Sequence, residues 1–165
     1  MRGNDRPHGA KGQLRDEGWQ AKLASMIERE PLVAVVDDED DVRQALRRLL
    51  RSAGFDVLAY GSGSEFLRHA AGSSPDCVVL DLRMPGSSGF DVQKQLQAQN
   101  LHIPVVVVTG NESSESRQQA LENGADAYLC KPVDGDTLIN AVLSAIERGR
   151  SKARGKRPPP AAPPP

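Results

Sequence analysis

Short, mostly apolar runs alternate along this chain with longer segments whose apolar residues recur at helical spacing. The apolar runs predict five strands, and their near-continuous apolar character is typical of strands covered on both faces of a parallel sheet. The spacing of apolar residues at i, i+3, i+4 and i+7 in the intervening segments predicts helices. The predicted strands cover residues 32–36, 55–60, 77–80, 104–108 and 127–130, and the predicted helices 42–53, 64–71, 89–98, 113–122 and 138–146.

Regular alternation of strands and helices with short connections predicts an α/β fold, with helices on both faces of one sheet. Because crossovers between parallel strands are right-handed, few topologies are open to five such units. The simplest is a doubly wound, five-stranded parallel sheet in the order 2-1-3-4-5, a flavodoxin-like architecture. The fourth helix offers only Ala120 and Leu121 as apolar anchors, so we expect it to be easily displaced.

The two ends of the chain differ from its middle in composition. Residues 1–30 are polar and charged, and we expect them to be largely disordered, apart from a short helix that the spacing of apolar residues allows at 19–29. Residues 149–165 form a basic, proline-rich tail that we also expect to be disordered. The predicted domain therefore covers residues 31–148.

Charge is distributed unevenly, although the formal net charge is only −1. The predicted domain is acidic and the tail basic, which argues against a body that binds nucleic acid throughout. No apolar run approaches the roughly 18 residues of a membrane-spanning helix, and the N-terminus lacks the apolar core of a secretory signal. Two cysteines form neither a disulfide framework nor a metal motif, so we expect a cytoplasmic protein with no membrane partner.

Polar residues follow four of the predicted strands, at the sheet edge where ligands of such folds bind. Asp37 and Asp38 follow the first strand, and Asp81, Thr109 and Lys131 follow the third, fourth and fifth. Taken singly, they could be an acidic helix start, a turn residue, a strand end and a surface lysine. Their joint placement favours a phosphoryl-transfer site in which carboxylates hold Mg²⁺, one carboxylate accepts phosphorus, and lysine and threonine contact the phosphoryl oxygens.

Four sequence blocks resemble the receiver domain of two-component response regulators: VVDDEDDVRQALRRLLRSAGF, VVLDLRMPGSSGF, VVVVTG and GADAYLCKPVD. The resemblance runs from about residue 32 to residue 146. Within the response regulators, the sequence is most similar to the branch that contains nitrogen-fixation and nodulation regulators. It implies that Asp81 is the phosphoacceptor, and that Mg²⁺ is bound by Asp38, Asp81 and the backbone carbonyl of Arg83. Asp37 is implied to assist the metal through a water molecule.

The resemblance also implies a switch. Thr109 and Lys131 would contact the phosphoryl group, and Tyr128 occupies the aromatic position that turns inward on activation. The output surface would consist of the fourth helix, the fifth strand and the fifth helix. Pro132 would follow a cis peptide bond. Arg83 and Asn111 occupy the positions that tune dephosphorylation in the family.

The implied phosphoryl donor is a histidine kinase or a phosphotransfer protein, and the output is an unknown downstream protein, with phosphorylation-dependent homodimerisation as a further expectation. Too few residues follow Glu147 for a helix-turn-helix module, so we expect no DNA-binding domain. Three alternatives remain open: a Mg²⁺-dependent phosphohydrolase with an aspartate nucleophile, a phosphate sink or shuttle within a relay, and weak nucleic-acid binding by the tail. In the first, Arg83 stands where such hydrolases commonly carry a general acid.

Overall fold

A computed structural model describes residues 30–156 as an α/β fold built on one parallel sheet. The sheet order is β2-β1-β3-β4-β5, and every neighbouring pair of strands is parallel, which confirms the predicted topology. The strands are β1 (Leu32–Val36), β2 (Asp56–Tyr60), β3 (Cys77–Leu80), β4 (Val105–Thr109) and β5 (Ala127–Cys130).

Five helices cover the two faces of the sheet, as alternating strands and helices predict. They are α1 (Asp40–Ser52), α2 (Gly63–Ser73), α3 (Gly89–Ala98), α4 (Ser114–Glu122) and α5 (Gly135–Gly155). Residues of α1 and α5 share one hydrophobic core with Val33 and Val35 of β1. Residues of α2, α3 and α4 share the other core with Ala34 and Val36, because successive strand residues point to opposite faces.

Side-chain caps begin four of the five helices. In each, the residue before the helix accepts a hydrogen bond from a backbone N–H of the first turn, which typically stabilises a helix by about 1 kcal/mol. The capping residues are Ser62, Ser88, Ser113 and Asp134. The capping position of α1 is Glu39, which makes no such bond, and the first turn carries Asp40 and Asp41 at the positive end of the helix dipole instead.

The last helix is longer than predicted. It continues to Gly155, so the expectation of disorder is wrong for residues 149–155. Lysine, arginine and alanine in this stretch are good helix formers, and no proline interrupts it. Arg148 also donates a 3.2 Å hydrogen bond to the carbonyl of Asp126, which fixes the helix against the start of β5. Residues 1–29, with the helix expected at 19–29, and residues 157–165 lie outside the described part of the chain.

Within residues 30–156, no helix combines the length and the apolar character that crossing a lipid bilayer requires.

Candidate functional site

The carboxyl ends of four adjacent strands bring together most of the polar residues that the sequence singled out. Asp37 directly follows β1, Asp81 follows β3 and Lys131 follows β5, while Thr109 is the last residue of β4. The strand order places β1, β3, β4 and β5 side by side, so these residues share one edge. Asp37, Asp81 and Thr109 are all buried to 95% or more, which is unusual for polar side chains without a specific role.

Three carboxylates form a compact cluster at this edge. One oxygen from each of Asp37, Asp38 and Asp81 lies within 4.8 Å of the other two. Asp37 and Asp81 are buried, whereas Asp38 is exposed to solvent. Hard oxygen ligands at this spacing, with one side open to water, suit Mg²⁺, which keeps several waters and takes only a few carboxylates.

Lys131 supplies the positive charge that faces this cluster. Its ammonium Nζ lies 2.8 Å from Asp37 Oδ2 and 3.4 Å from Asp81 Oδ2. Burial alone would lower the pKa of Lys131, but the hydrogen bond to Asp37 and the charges of both carboxylates outweigh it and raise the pKa above its usual value. Lys131 is therefore a permanent cation at neutral pH.

The pKa of the Asp81 carboxyl shifts in the direction set by burial, unlike that of Lys131. Burial raises the pKa of its carboxyl above the usual value, and this effect outweighs the lowering by the backbone N–H of Arg83 and by Lys131. The N–H of Arg83 donates a 3.2 Å hydrogen bond to Asp81 Oδ1, while the Arg83 side chain is exposed. Desolvation weakens the water shell that would otherwise compete for the carboxylate oxygens, so their charge is available to a cation or an electrophile.

Thr109 and Asn111 are linked at the end of β4. The backbone N–H of Asn111 donates a 3.5 Å hydrogen bond to the Thr109 hydroxyl oxygen. The Thr109 carbonyl accepts a 2.9 Å bond from the N–H of Lys131. The Thr109 hydroxyl accepts in this bond and keeps a hydrogen that it can donate. The main chain of Thr109 is bonded to Lys131, the residue that carries the site's cation.

Tyr128 lies away from the carboxylates, on β5 behind the loop that follows β4. Its ring is buried, and its hydroxyl donates a 3.1 Å hydrogen bond to the carbonyl of Asn111. The Arg117 guanidinium of α4 lies 5.8 Å from the ring centroid. The buried ring therefore connects the loop after Thr109 to α4.

The peptide bond between Lys131 and Pro132 is cis, the form that the family resemblance implies.

Arg43 is a residue that the sequence interpretation missed. From the first turns of α1 it donates a 2.8 Å hydrogen bond to the carbonyl of Asp37 and pairs with Asp40 at 2.5 Å. It therefore ties the start of α1 to the end of β1, beside the carboxylate cluster. A signal was present, because a cation near a helix N-terminus opposes the helix dipole and is uncommon without a specific partner.

Gly89 is a second residue that the sequence left without a role. A Cβ atom at this position would lie 2.4 Å from the carbonyl oxygen of Asp81 and 2.8 Å from the Cα of Leu82. The first turn of α3 thus packs directly on the backbone that carries Asp81. Only glycine allows this approach, which sequence periodicity could not reveal.

Comparisons with known proteins agree with this geometry. The response regulator receiver domain matches residues 33–143. Nodulation protein W of Bradyrhizobium diazoefficiens is 38% identical over 126 residues, which cover 76% of this chain and 56% of that protein. The transcriptional regulatory protein FixJ of Azorhizobium caulinodans is 38% identical over 125 residues, covering 76% of this chain and 58% of the relative. The chain thus spans a little over half the length of these two relatives.

Solved structures agree as well. The crystal structure of FixJ-N is 33% identical, with a TM-score of 0.68, and the match covers 72% of this chain and 95% of that one. The structure of the response regulator StyR is 37% identical, with a TM-score of 0.69, and the match covers 77% of this chain and 64% of the StyR chain. By sequence, by fold and by the acidic edge of its sheet, the chain belongs to the family of receiver domains of two-component response regulators.

Proposed function

We propose that this domain accepts a phosphoryl group on Asp81 in a Mg²⁺-dependent reaction and thereby controls a protein partner. The observation that carries the proposal is the placement of the Asp81 carboxylate. It is buried, lies within 4.8 Å of two further carboxylates, and faces a single lysine ammonium at 3.4 Å. The proposed phosphoryl donor is a histidine kinase or a phosphotransfer protein, and membership of the receiver-domain family supports this choice.

In the proposed reaction, an oxygen of the Asp81 carboxylate attacks the phosphorus of a phosphohistidine. The bond between phosphorus and the imidazole nitrogen breaks, and its electron pair stays on the nitrogen. The product is an acyl phosphate on Asp81. Negative charge develops on the equatorial phosphoryl oxygens, and stabilising that charge is the main task of the surrounding groups.

The donor set fits Mg²⁺, since three carboxylates with one solvent-exposed member provide oxygen ligands and room for water. Asp38, Asp81 and the backbone carbonyl of Arg83 would hold the ion, with Asp37 acting through water. When bound, the metal neutralises part of the carboxylate charge and polarises the phosphoryl oxygens.

Lys131 and Thr109 are placed to recognise the product. The Lys131 ammonium already lies within reach of Asp81 and can transfer one of its hydrogen bonds to a phosphoryl oxygen. The Thr109 hydroxyl hydrogen can donate to another. We expect both groups to bind a phosphorylated Asp81 more tightly than an unphosphorylated one. Phosphorylation would therefore favour the conformation in which both groups approach Asp81.

The signal would leave through the face of α4, β5 and α5. Helix α4 buries only Ala120, so displacing it costs little buried apolar area. Movement of Thr109 would pull on Asn111, whose carbonyl accepts the hydrogen bond from Tyr128. The Tyr128 ring in turn contacts the guanidinium of Arg117 on α4. This chain of contacts supports a shift between two existing states.

The proposal is tested by incubating wild type, Asp81→Asn and the control Asp136→Asn with Mg²⁺ and a small phosphodonor. Asp136 is an exposed acid in the first turn of α5. We expect a hydroxylamine-sensitive phosphoryl label on wild type and on the control, and none on Asp81→Asn. Equal labelling of all three proteins would refute the assignment. Continuous turnover of a phosphate ester by the wild type would instead support the phosphohydrolase.

A further inference from the structure

Arg43 is a charged residue of α1 that the proposed phosphoryl transfer does not use. It is the fourth residue of the helix, where a positive charge opposes the helix dipole, and only 20% of its side chain is exposed. Both conditions disfavour a guanidinium unless specific partners hold it. Its two partners, one in the main chain after β1 and one in the first turn of α1, lie beside the carboxylate cluster.

The first partner is the carbonyl of Asp37. The N–H of Asp37 donates a 3.2 Å hydrogen bond to the carbonyl of Tyr60, but Tyr60 is the last residue of β2. The Asp37 carbonyl instead accepts a 2.8 Å hydrogen bond from Nη1 of Arg43. The same Nη1 lies close to Gly61, where an added Cβ atom would be 3.5 Å away. The guanidinium therefore satisfies the carbonyl that follows β1 at the point where β2 has ended.

The second partner is the carboxylate of Asp40, which pairs with Nη2 of Arg43. A guanidinium is planar, so holding both of its terminal nitrogens fixes its orientation. Through this fork, the direction of the Asp37 carbonyl is set relative to the first turn of α1. A lysine in place of Arg43 would keep the charge, but its single nitrogen could not reproduce the fork.

The carboxylate whose placement depends on this contact is that of Asp38. Asp37 and Asp81 are each held by a backbone N–H and by Lys131. The side chain of Asp38 is exposed, and its carboxylate makes no hydrogen bond or ion pair with any group of the described residues 30–156. The position of this carboxylate is therefore set by the main chain on either side of it.

Both peptide groups that flank Asp38 are held in place. The carbonyl of the first, between Asp37 and Asp38, accepts the hydrogen bond from Arg43. The N–H of the second, between Asp38 and Glu39, donates a 2.9 Å hydrogen bond to Asp37 Oδ1. Because each peptide group is planar, fixing both restricts the backbone dihedral angles of Asp38 and the direction of its Cβ atom. The carboxylate then lies within 4.8 Å of the other two without a direct partner of its own.

We propose that Arg43 is a positioning residue that orients Asp38 to bind Mg²⁺. This role rests on the proposed function, in which Mg²⁺ is held by Asp38 and Asp81. The charge of Arg43 acts in the opposite direction, since a guanidinium beside the cluster repels a second cation. Removing Arg43 would therefore tighten Mg²⁺ binding if charge were its main contribution, and it weakens binding if positioning is. The sign of the effect separates the two roles.

The test compares wild type with Arg43→Met, Arg43→Lys and the control Arg48→Met, which removes the charge of an exposed arginine on the same helix. Calorimetry measures Mg²⁺ affinity. We expect Arg43→Met to weaken Mg²⁺ binding by about tenfold, the usual effect of removing a group that orients a metal ligand. Arg43→Lys should bind with an affinity between those of Arg43→Met and wild type, and Arg48→Met should bind as wild type does.

A second measurement needs no metal. NMR relaxation in metal-free buffer gives the order parameter of the Asp38 backbone N–H, which should fall in Arg43→Met and keep its wild-type value in Arg48→Met. A general loss of stability, which chemical denaturation of each variant measures, would instead lower order parameters throughout the domain.

Two kinds of failure are distinguishable. Mg²⁺ binding by Arg43→Met as tight as in wild type or tighter, or an unchanged order parameter at Asp38, would overturn the role of Arg43 and leave the proposed function intact. A wild type that itself binds no Mg²⁺ would refute the metal dependence of the proposed function, and the role of Arg43 with it.

Discussion

The ammonium of Lys131 donates a 2.8 Å hydrogen bond to the carboxylate of Asp37, a residue 94 positions away in the sequence. The contact closes the carboxyl edge of the sheet, because it joins the end of β1 to the end of β5 across the two strands between them. The same ammonium also reaches Asp81. One cation thus offsets the repulsion between two buried carboxylates, which makes its removal the most direct probe of the site.

We expect Lys131→Met to lower the free energy of unfolding in metal-free buffer by about 2 kcal/mol, because two buried carboxylates lose a charged hydrogen-bond donor. Added Mg²⁺ should restore part of that loss by replacing the missing positive charge. Chemical denaturation with and without Mg²⁺ measures both effects. The exposed Lys94→Met serves as the control, and a Lys131→Met protein as stable as that control without metal would contradict the prediction.

The two acids after β1 should contribute unequally to metal affinity. Both oxygens of Asp37 are engaged, one by the N–H of Glu39 at 2.9 Å and the other by Lys131, whereas the Asp38 side chain is exposed. We expect Asp38→Ala to weaken Mg²⁺ binding by about tenfold or more, which corresponds to about 1.4 kcal/mol, and Asp37→Ala to weaken it less. Calorimetric titration with Mg²⁺ measures both constants. The reverse order would exchange the roles of the two residues.

The raised pKa of Asp81 predicts a specific pH dependence of stability. Since folding favours the protonated carboxyl, the free energy of unfolding contains a contribution that is complete below the pKa of the unfolded chain. This contribution is lost as the pH rises from that value through the higher pKa of the folded state. Asp81→Asn removes the titration, so in metal-free buffer the variant should gain stability over wild type as the pH rises above 3.8, the ordinary value of the carboxyl. A difference that shrinks over that range would show the opposite shift.

Helix α4 should be the least protected helix of the domain, because only Ala120 is buried. Its start depends on Ser113, whose hydroxyl accepts a 3.1 Å hydrogen bond from the N–H of Ser116. We expect Ser113→Ala to cost about 1 kcal/mol, which corresponds to about fivefold faster amide hydrogen exchange in α4.

The matched control is Ser62→Ala, which removes the equivalent cap of α2 and should leave exchange in α4 unchanged. Exchange in the wild-type α4 as slow as in the interior of α5, which buries six residues, would contradict the view of α4 as a loosely held element.

The sequence by itself determined the succession of elements and the grouping of the charged residues at the carboxyl edge of the sheet. Continuous apolar runs and helical spacing reflect local burial, so they could be interpreted without coordinates, and parallel strands bring the residues after them to one edge. Asp37, Asp38, Asp81 and Lys131 could therefore be grouped in advance. The length of α5 could not, because its extension depends on helix propensity and on tertiary contacts such as that between Gly149 and Pro104.

Only the tertiary structure decided which groups touch. The closer approach of Lys131 to Asp37 than to Asp81, the reach of Arg43 to the Asp37 carbonyl, and the packing of Gly89 on the Asp81 backbone all join elements that are separate in the chain. Such contacts depend on strand register, helix placement and side-chain length acting together over distances of a few ångströms. A periodic pattern records which face of an element is buried, but it does not record what the element is buried against.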